Sequence, residues 1–211
     1  MCVSAHYCDQ NLATLMALMD KSHNAIIRSN CVLALGDIAV CFNYMLDENT
    51  DFLYRRLHDR FPVVQRTCLM TLTFLILAGQ VKVKGQLGEM AKCLEDSDKR
   101  ITDLAKMFFT ELATKDNAIY NGFIDMFSVL SADNSLSDDA LHRILKFLVS
   151  FIEKEKQVKQ LSDKLYSRLS RCETQKAFDD LSYVLGLLPH KSDLNTESLN
   201  HGFKYTAIKV D

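Results

Sequence analysis

The chain has 211 residues, 48% hydrophobic and 25% charged, which is enough to build one or two cores without staples and too apolar for disorder over most of its length. Seven glycines, two prolines and no tryptophan leave too few turn-formers for a many-stranded β-sandwich or barrel, and no Gly-rich phosphate cradle. A net charge of −2 gives no global case for nucleic acid, yet residues 52–92 carry seven basic residues against Asp59 and Glu89, a local +5.

In chain order, an apolar periodic segment at residues 12–19 precedes a turn with Asp20 and a second periodic segment at 27–39. The same unit recurs as 52–57, Asp59 and 64–76, and again as 87–94, Asp96 and 101–113. The three second segments superpose without a gap at an offset of 37 residues. Their matched columns are Ile27/Val64/Ile101, Cys31/Cys68/Ala105, Leu35/Leu72/Phe109 and Ile38/Leu75/Leu112. The internal steps of 4, 4 and 3 residues trace one face of an α-helix. The small-residue column would let a neighbouring helix approach closely.

A fourth copy sits at an offset of 35: residues 119–130, Asp133, then Leu136, Ala140, Ile144 and Phe147. A fifth, weaker pair follows at 158–169 and 177–188, closed by Pro189. Residues 190–211 lose the pattern and read as an irregular tail. The expected fold is therefore all-α: a solenoid of about five helix-turn-helix repeats forming one domain over residues 1–189. The period alone does not separate the repeat families. The absence of Trp argues against tetratricopeptide units, while a turn Asp followed by a β-branched and a basic residue (Ile27-Arg28, Val64-Gln65-Arg66) is HEAT-like.

No catalytic set is visible. The six histidines fall mostly at turns or in the tail, and His142, inside a helix, reads as a core or edge residue. The seven cysteines are odd in number and lack CxxC, so buried free thiols in a reducing compartment are expected rather than a disulfide framework. Cys2, His6 and Cys8 make an incomplete metal set. Neither enzyme activity nor a cofactor is expected. Gly79, Gly85 and Gly88 read as helix-ending and loop-loosening residues. The start, Met-Cys-Val-Ser-Ala-His, has no secretory pattern, and the longest apolar run, 72–78, is too short to span a bilayer, so a soluble nuclear or cytosolic protein is expected.

Two stretches are candidates for contact with partners. Arg55, Arg56, Arg60, Arg66, Lys82 and Lys84 could face DNA phosphate or an acidic segment, or simply make a solvated face. No interleaved aromatics favour stacking of single strands. Asn117, Tyr120 and Asn121 open a helix, either as a cap packed on the preceding unit or as a partner contact.

Several motifs, in order, resemble one family. They are Arg28-Ser29-Asn30 with Ala34-Leu35-Gly36-Asp37-Ile38-Ala39, then Val81-Lys82-Val83-Lys84-Gly85-Gln86 with Glu89-Met90-Ala91. Next come Phe108-Phe109-Thr110-Glu111-Leu112 and Lys115-Asp116-Asn117-Ala118-Ile119-Tyr120-Asn121, then Asp180-Leu181-Ser182-Tyr183 and Leu187-Leu188-Pro189. Over residues 8–189 the chain resembles the C-terminal HEAT region of the condensin complex subunit 1 family. Residues 190–211 diverge, and Asp47-Glu48-Asn49-Thr50 stands where the family has a more apolar, Pro-containing loop. The resemblance implies a non-catalytic scaffold that works with a kleisin subunit, SMC ATPase heads and double-stranded DNA in mitotic chromosome condensation. It implies residence in the nucleus and on mitotic chromosomes, and in the cytoplasm in interphase, with no membrane contact. The alternative is a HEAT adaptor for another protein, of the transport or phosphatase-scaffold type.

Overall fold

Helix starts are written locally. Ser4 accepts the Tyr7 N–H and opens α1 (Ala5–Lys21); Asn24 accepts the Ile26 N–H and opens α2 (Ala25–Cys41). The short α3 (Asn43–Leu46) and α4 (Thr50–Tyr54) follow, the latter running into a 3-10 turn at Arg55–His58. Pro62 at the first position starts α5 (Pro62–Leu77). Next is α6 (Leu87–Lys92), extended by a 3-10 turn at Cys93–Glu95. Asp98 caps α7 (Lys99–Ala113), and α8 spans Ala118–Ser131. Ser137 caps α9 (Asp138–Val149), α10 is Glu155–Leu169, and Thr174 caps α11 (Gln175–Leu187).

The computed structural model describes residues 2–46, 50–81, 86–115 and 117–189, and no strand occurs among them. Among the described residues eleven α-helices follow one another, and the chain divides into two compact units between Ala132 and Asp133. In the first unit α2, α5 and α7 lie side by side in one layer. Their partners, α1, α4 with its 3-10 turn, and α6 with its 3-10 turn, form the other layer, where α6 packs on α8. In the second unit α11 packs on both α9 and α10.

The helical columns become the core. Cys31, Cys68, Ala105, Leu35, Leu72, Phe109, Ile38, Leu75 and Leu112 are all buried. Full burial is worth roughly 1.5–3 kcal/mol for each large apolar side chain. One column breaks: Val64 and Ile101 are buried, but Ile27 is 39% exposed.

Two glycines set helix separation. A Cβ on Gly36 would lie 2.6 Å from Thr71 Cγ2, so α2 and α5 meet there more closely than any side chain permits. Gly88 does not loosen a loop as expected; it is buried inside α6, and a Cβ there would lie 2.6 Å from Val129 Cβ on α8. Gly79 does end α5, in the left-handed conformation at φ 69°. Gly85 lies outside the described residues, as does the stretch 190–211.

The turn acids are Asx turns for three of the four pairs. Asp59, Asp96 and Asp133 each accept the backbone N–H two residues on, from Phe61, Asp98 and Ser135. Asp20 is different: it belongs to the last turn of α1, and Ser22 accepts the Asn24 N–H in its place.

Asp59 also holds the turns together. Arg28 reaches from α2 and donates from Nε and Nη2 to the two Asp59 oxygens at 2.8 and 2.7 Å, and from Nη1 to the Ser22 carbonyl at 2.7 Å. Both side chains are buried. Burial works against the Asp59 charge, but the Arg28 hydrogen bonds, the Phe61 N–H and the charges of Arg28 and Arg56 win, so its carboxyl lies below the usual range.

Two outcomes follow for stability. Asp59→Asn strands the Arg28 charge and should cost about 3–5 kcal/mol at pH 7 by urea unfolding. Because the folded carboxyl is the more acidic, its contribution is complete above an unfolded value near ~3.9 and fades as pH falls through the folded one. Wild-type stability should therefore drop on acidification below about pH 5, and Asp59→Asn should flatten that limb. Gly36→Ala should destabilise by about 1–3 kcal/mol in spite of alanine's better helix propensity, and Thr71→Ser, which removes the obstructing methyl, should recover part of the loss in the double variant.

Candidate functional site

The basic stretch is gathered at the 3-10 turn and the start of α5, but its charges are not equivalent. Arg55 is exposed and lies over the Phe52 ring, its guanidinium carbon 4.3 Å from the centroid. Arg60 is exposed and stands 5.0 Å from the Phe61 centroid. Arg66, in the second turn of α5, is half-buried.

Arg56 departs from the expectation of a phosphate contact. It is half-buried and donates to Asp20 at 3.0 Å, with Asp59 at 3.7 Å. Its charge lies between two carboxylates, so Asp20, Arg56, Asp59 and Arg28 form one alternating chain that ties the end of α1 and the start of α2 to the next turn. Near by, Glu89 receives His58 at 2.7 Å and Lys92 at 3.0 Å. The stretch therefore presents Arg55 and Arg60, flanked by Arg66. Lys82 and Lys84 lie outside the described residues.

The second candidate stretch opens α8. Asn117 occupies the cap position but does not cap with its side chain; it holds the left-handed conformation, φ 62° and ψ 24°, which Asn tolerates better than most residues. Tyr120 is half-buried and Asn121 exposed. These three do not adjoin the arginines in sequence: they sit at the end of the α7–α8 connection, while the arginines surround the start of α5.

The reactive groups are quiet. Burial holds the Cys68 thiol well above its ordinary pKa, and it donates to the Leu53 carbonyl at 2.9 Å. Burial pushes the Cys93 thiol up to about 12, helped by Asp96 and Glu89. Cys8, Cys31, Cys68 and Cys93 are buried free thiols, whereas Cys2 and Cys41 are exposed and Cys172 is intermediate. His142 stacks on Tyr183 with centroids 3.7 Å apart, and the Tyr183 hydroxyl donates to the His142 carbonyl at 3.3 Å, so it is an edge residue. Among the described residues no cluster of three His, Cys, Asp or Glu could hold a metal, and no helix is long and apolar enough to cross a membrane.

Arg28 was legible only as part of a repeat pattern. Its burial and its bond to Asp59 depend on how successive turns meet. A second feature lay hidden in the same superposition: the column Leu33/Met70/Met107 is apolar throughout, yet lies off the core face, and all three side chains are exposed.

Comparison with known proteins places this geometry. A family model described as non-SMC mitotic condensation complex subunit 1 matches residues 26–186. Condensin complex subunit 1 of Saccharomyces cerevisiae is 60% identical over 209 residues, covering 99% of this chain and 18% of that protein. The Schizosaccharomyces pombe protein of the same name is 53% identical over 206 residues, covering 96% and 18%. The human one is 42% identical over 188 residues, covering 89% and 13%. The chain thus spans less than a fifth of the length of these relatives. With repeated helix pairs over the described residues and a family match running from α2 into α11, the chain belongs to the condensin complex subunit 1 family.

Proposed function

We propose that this chain is a non-catalytic HEAT-repeat scaffold of the condensin complex, contacting a kleisin segment, SMC ATPase heads and double-stranded DNA during mitotic chromosome condensation. The observation that carries the reading is the family match over residues 26–186, together with 60% identity to the budding-yeast subunit across nearly the whole chain. The architecture suits it: a layered array of helix pairs offers long outer faces to partners and folds through contacts between neighbours. On this reading the protein works in the nucleus and on mitotic chromosomes. Imaging of a tagged protein through the cell cycle checks that placement, and exclusion from mitotic chromosomes overturns it.

Co-purification with kleisin fragments and SMC heads tests the scaffold role. The chain should retain at least one of them while remaining helical by circular dichroism. A folded chain that retains neither, and does not bind duplex DNA at low salt, ends the proposal.

The DNA arm has a sharper form. If Arg55 and Arg60 meet phosphates, each Ala substitution should reduce the slope of log affinity against log salt by about 0.9. Arg56→Ala should leave that slope unchanged and lower the melting temperature instead, because Arg56 is held by Asp20 and Asp59. The reverse pattern would remove the phosphate role from the exposed pair. A tight protein partner with no salt-dependent DNA binding would favour the adaptor alternative, and the apolar outer face of the α2–α5–α7 layer gives that reading its own support.

A further inference from the structure

The outer face of the α2, α5 and α7 layer is unusual for a surface. Leu33, Met70, Phe74 and Met107 are 51%, 59%, 58% and 53% exposed. At 100° per residue, positions 63, 70 and 74 of α5 fall on one line within about 40°, opposite the buried face. Positions 33 and 107 hold the same register on the two flanking helices, one repeat away on each side.

The shape of this patch is directional. Along α5 it carries the exposed side chains of Val63, Met70 and Phe74, over about 16 Å at ~1.5 Å per residue. Across the layer it is apolar only at the middle level, Leu33/Met70/Met107. At the Val63 level it meets exposed Ile26 on one side and Arg100 on the other, and at the Phe74 level it meets Asp37 and Glu111. A guest laid across the three helices would cross charge at two of three levels. A guest laid along α5 would pass Thr67 and the edge of Arg66 between Val63 and Met70, then stay on apolar surface to Phe74 and touch Leu33 and Met107 with its flanks. The 7- and 4-residue steps along α5 are those with which one helix receives another.

Charge selects the guest further. Arg60 and Arg66 near the start of α5, with Lys99 and Arg100 at the start of α7, stand at one end of the line against Asp96, Asp98 and Asp103, while Asp59 is taken up by Arg28 and Arg56, which leaves that end slightly positive. The positive end of α5, which has no side-chain cap, adds to this field, whereas the Asp98 carboxylate already caps that of α7. We infer that the outer face of α5, flanked by Leu33 and Met107, receives an amphipathic helix of a protein partner, with apolar residues at 3- and 4-residue spacing and acidic residues at the end lying over the start of α5. The inference deepens the scaffold reading proposed above and rests on it, and its test lets the two fail separately.

The first measurement uses the chain and a fluorescein-labelled 21-residue peptide with leucine at heptad positions a and d, glutamate at the exposed positions of its first half and glutamine elsewhere. A counterpart carries lysine for glutamate. By fluorescence anisotropy the glutamate peptide should bind more tightly. Met70→Glu and Phe74→Glu should each weaken it by roughly tenfold or more, a magnitude typical of central contacts. Met70→Leu should restore binding, and Thr14→Glu, on the exposed face of α1, should do nothing. Circular dichroism verifies that each variant is folded. Equal binding of the two peptides, or indifference to Met70→Glu, overturns the inference. So does a wild-type dimer by light scattering that Met70→Glu dissolves, since the occupant would then be a second copy. The second measurement places a photo-crosslinker at position 70 in the assembled complex. The joined segment should be acidic with the stated spacing, and a basic or irregular segment overturns the inference. If no condensin subunit co-purifies while the glutamate peptide still binds at Met70, the scaffold reading falls and the docking face stands.

Discussion

A helix pair of this kind cannot bury its own apolar side, and the packing of the first unit follows from that constraint. The columns at positions 31, 35 and 38 and their equivalents one and two repeats on close the gap between neighbours by burial alone. Burial is non-directional, however, and would tolerate helices sliding past one another. The bidentate bond from Arg28 to Asp59, with the Ser22 carbonyl as a third acceptor, is directional and joins two successive turns. It ties α2 to the turn before α5, while Gly36 and Thr71, two turns further along the same helices, set their separation. Arg56 extends the tie back to Asp20 at the end of α1. Hydrophobic columns supply the attraction between neighbours, and this charge chain supplies a register.

That division explains what could be foreseen. The helices were legible because period acts locally: the 4-4-3 spacing operates within a single helix, and the turn acids mark the breaks between helices. The 37-residue offset carried the columns from one helix to the next. What failed depends on distances between elements. Gly88 looked like a loop residue because nothing within its own segment shows that Val129, about forty residues away, presses on it. Asn117 was read either as a helix cap or as a partner contact; it holds the cap position without a side-chain cap, through the left-handed backbone that Asn tolerates. Asp20 and Asp59 occupy comparable places before a second helix, yet one ends α1 and the other makes an Asx turn, a difference of a few residues in where the first helix stops.

The candidate site shows the same limit more strongly. A run of arginines in sequence is a sum of formal charges, and the structure divides that sum. Arg28 and Arg56 are consumed by internal carboxylates, and Lys92 shares Glu89 with His58. Arg55 and Arg60 rest against aromatic rings, which orient them without neutralising them. An excess of positive charge over residues 52–92 is therefore a poor measure of what a phosphate backbone would meet. Two exposed, ring-supported guanidinium groups with one half-buried neighbour are a better one.

The outer face of α5 bears on what such an array is for. A single exposed leucine or methionine on a soluble protein is ordinary, because polar surface cannot cover a whole molecule. Exposed apolar side chains on one line of α5, with Leu33 and Met107 at the register of Met70 on the two adjacent helices, form a patch, and apolar patches mark contact surfaces. Stability gives no reason for it: these side chains bury little and contribute little to the interface between repeats. The core columns would be as well served by polar residues at 33, 70, 74 and 107. The patch is thus orthogonal to the fold in the literal sense, lying on the side of α5 that the 64-68-72-75 face leaves outward. An array built this way separates its two tasks by helix side, one side to join its own repeats and the other to join something else.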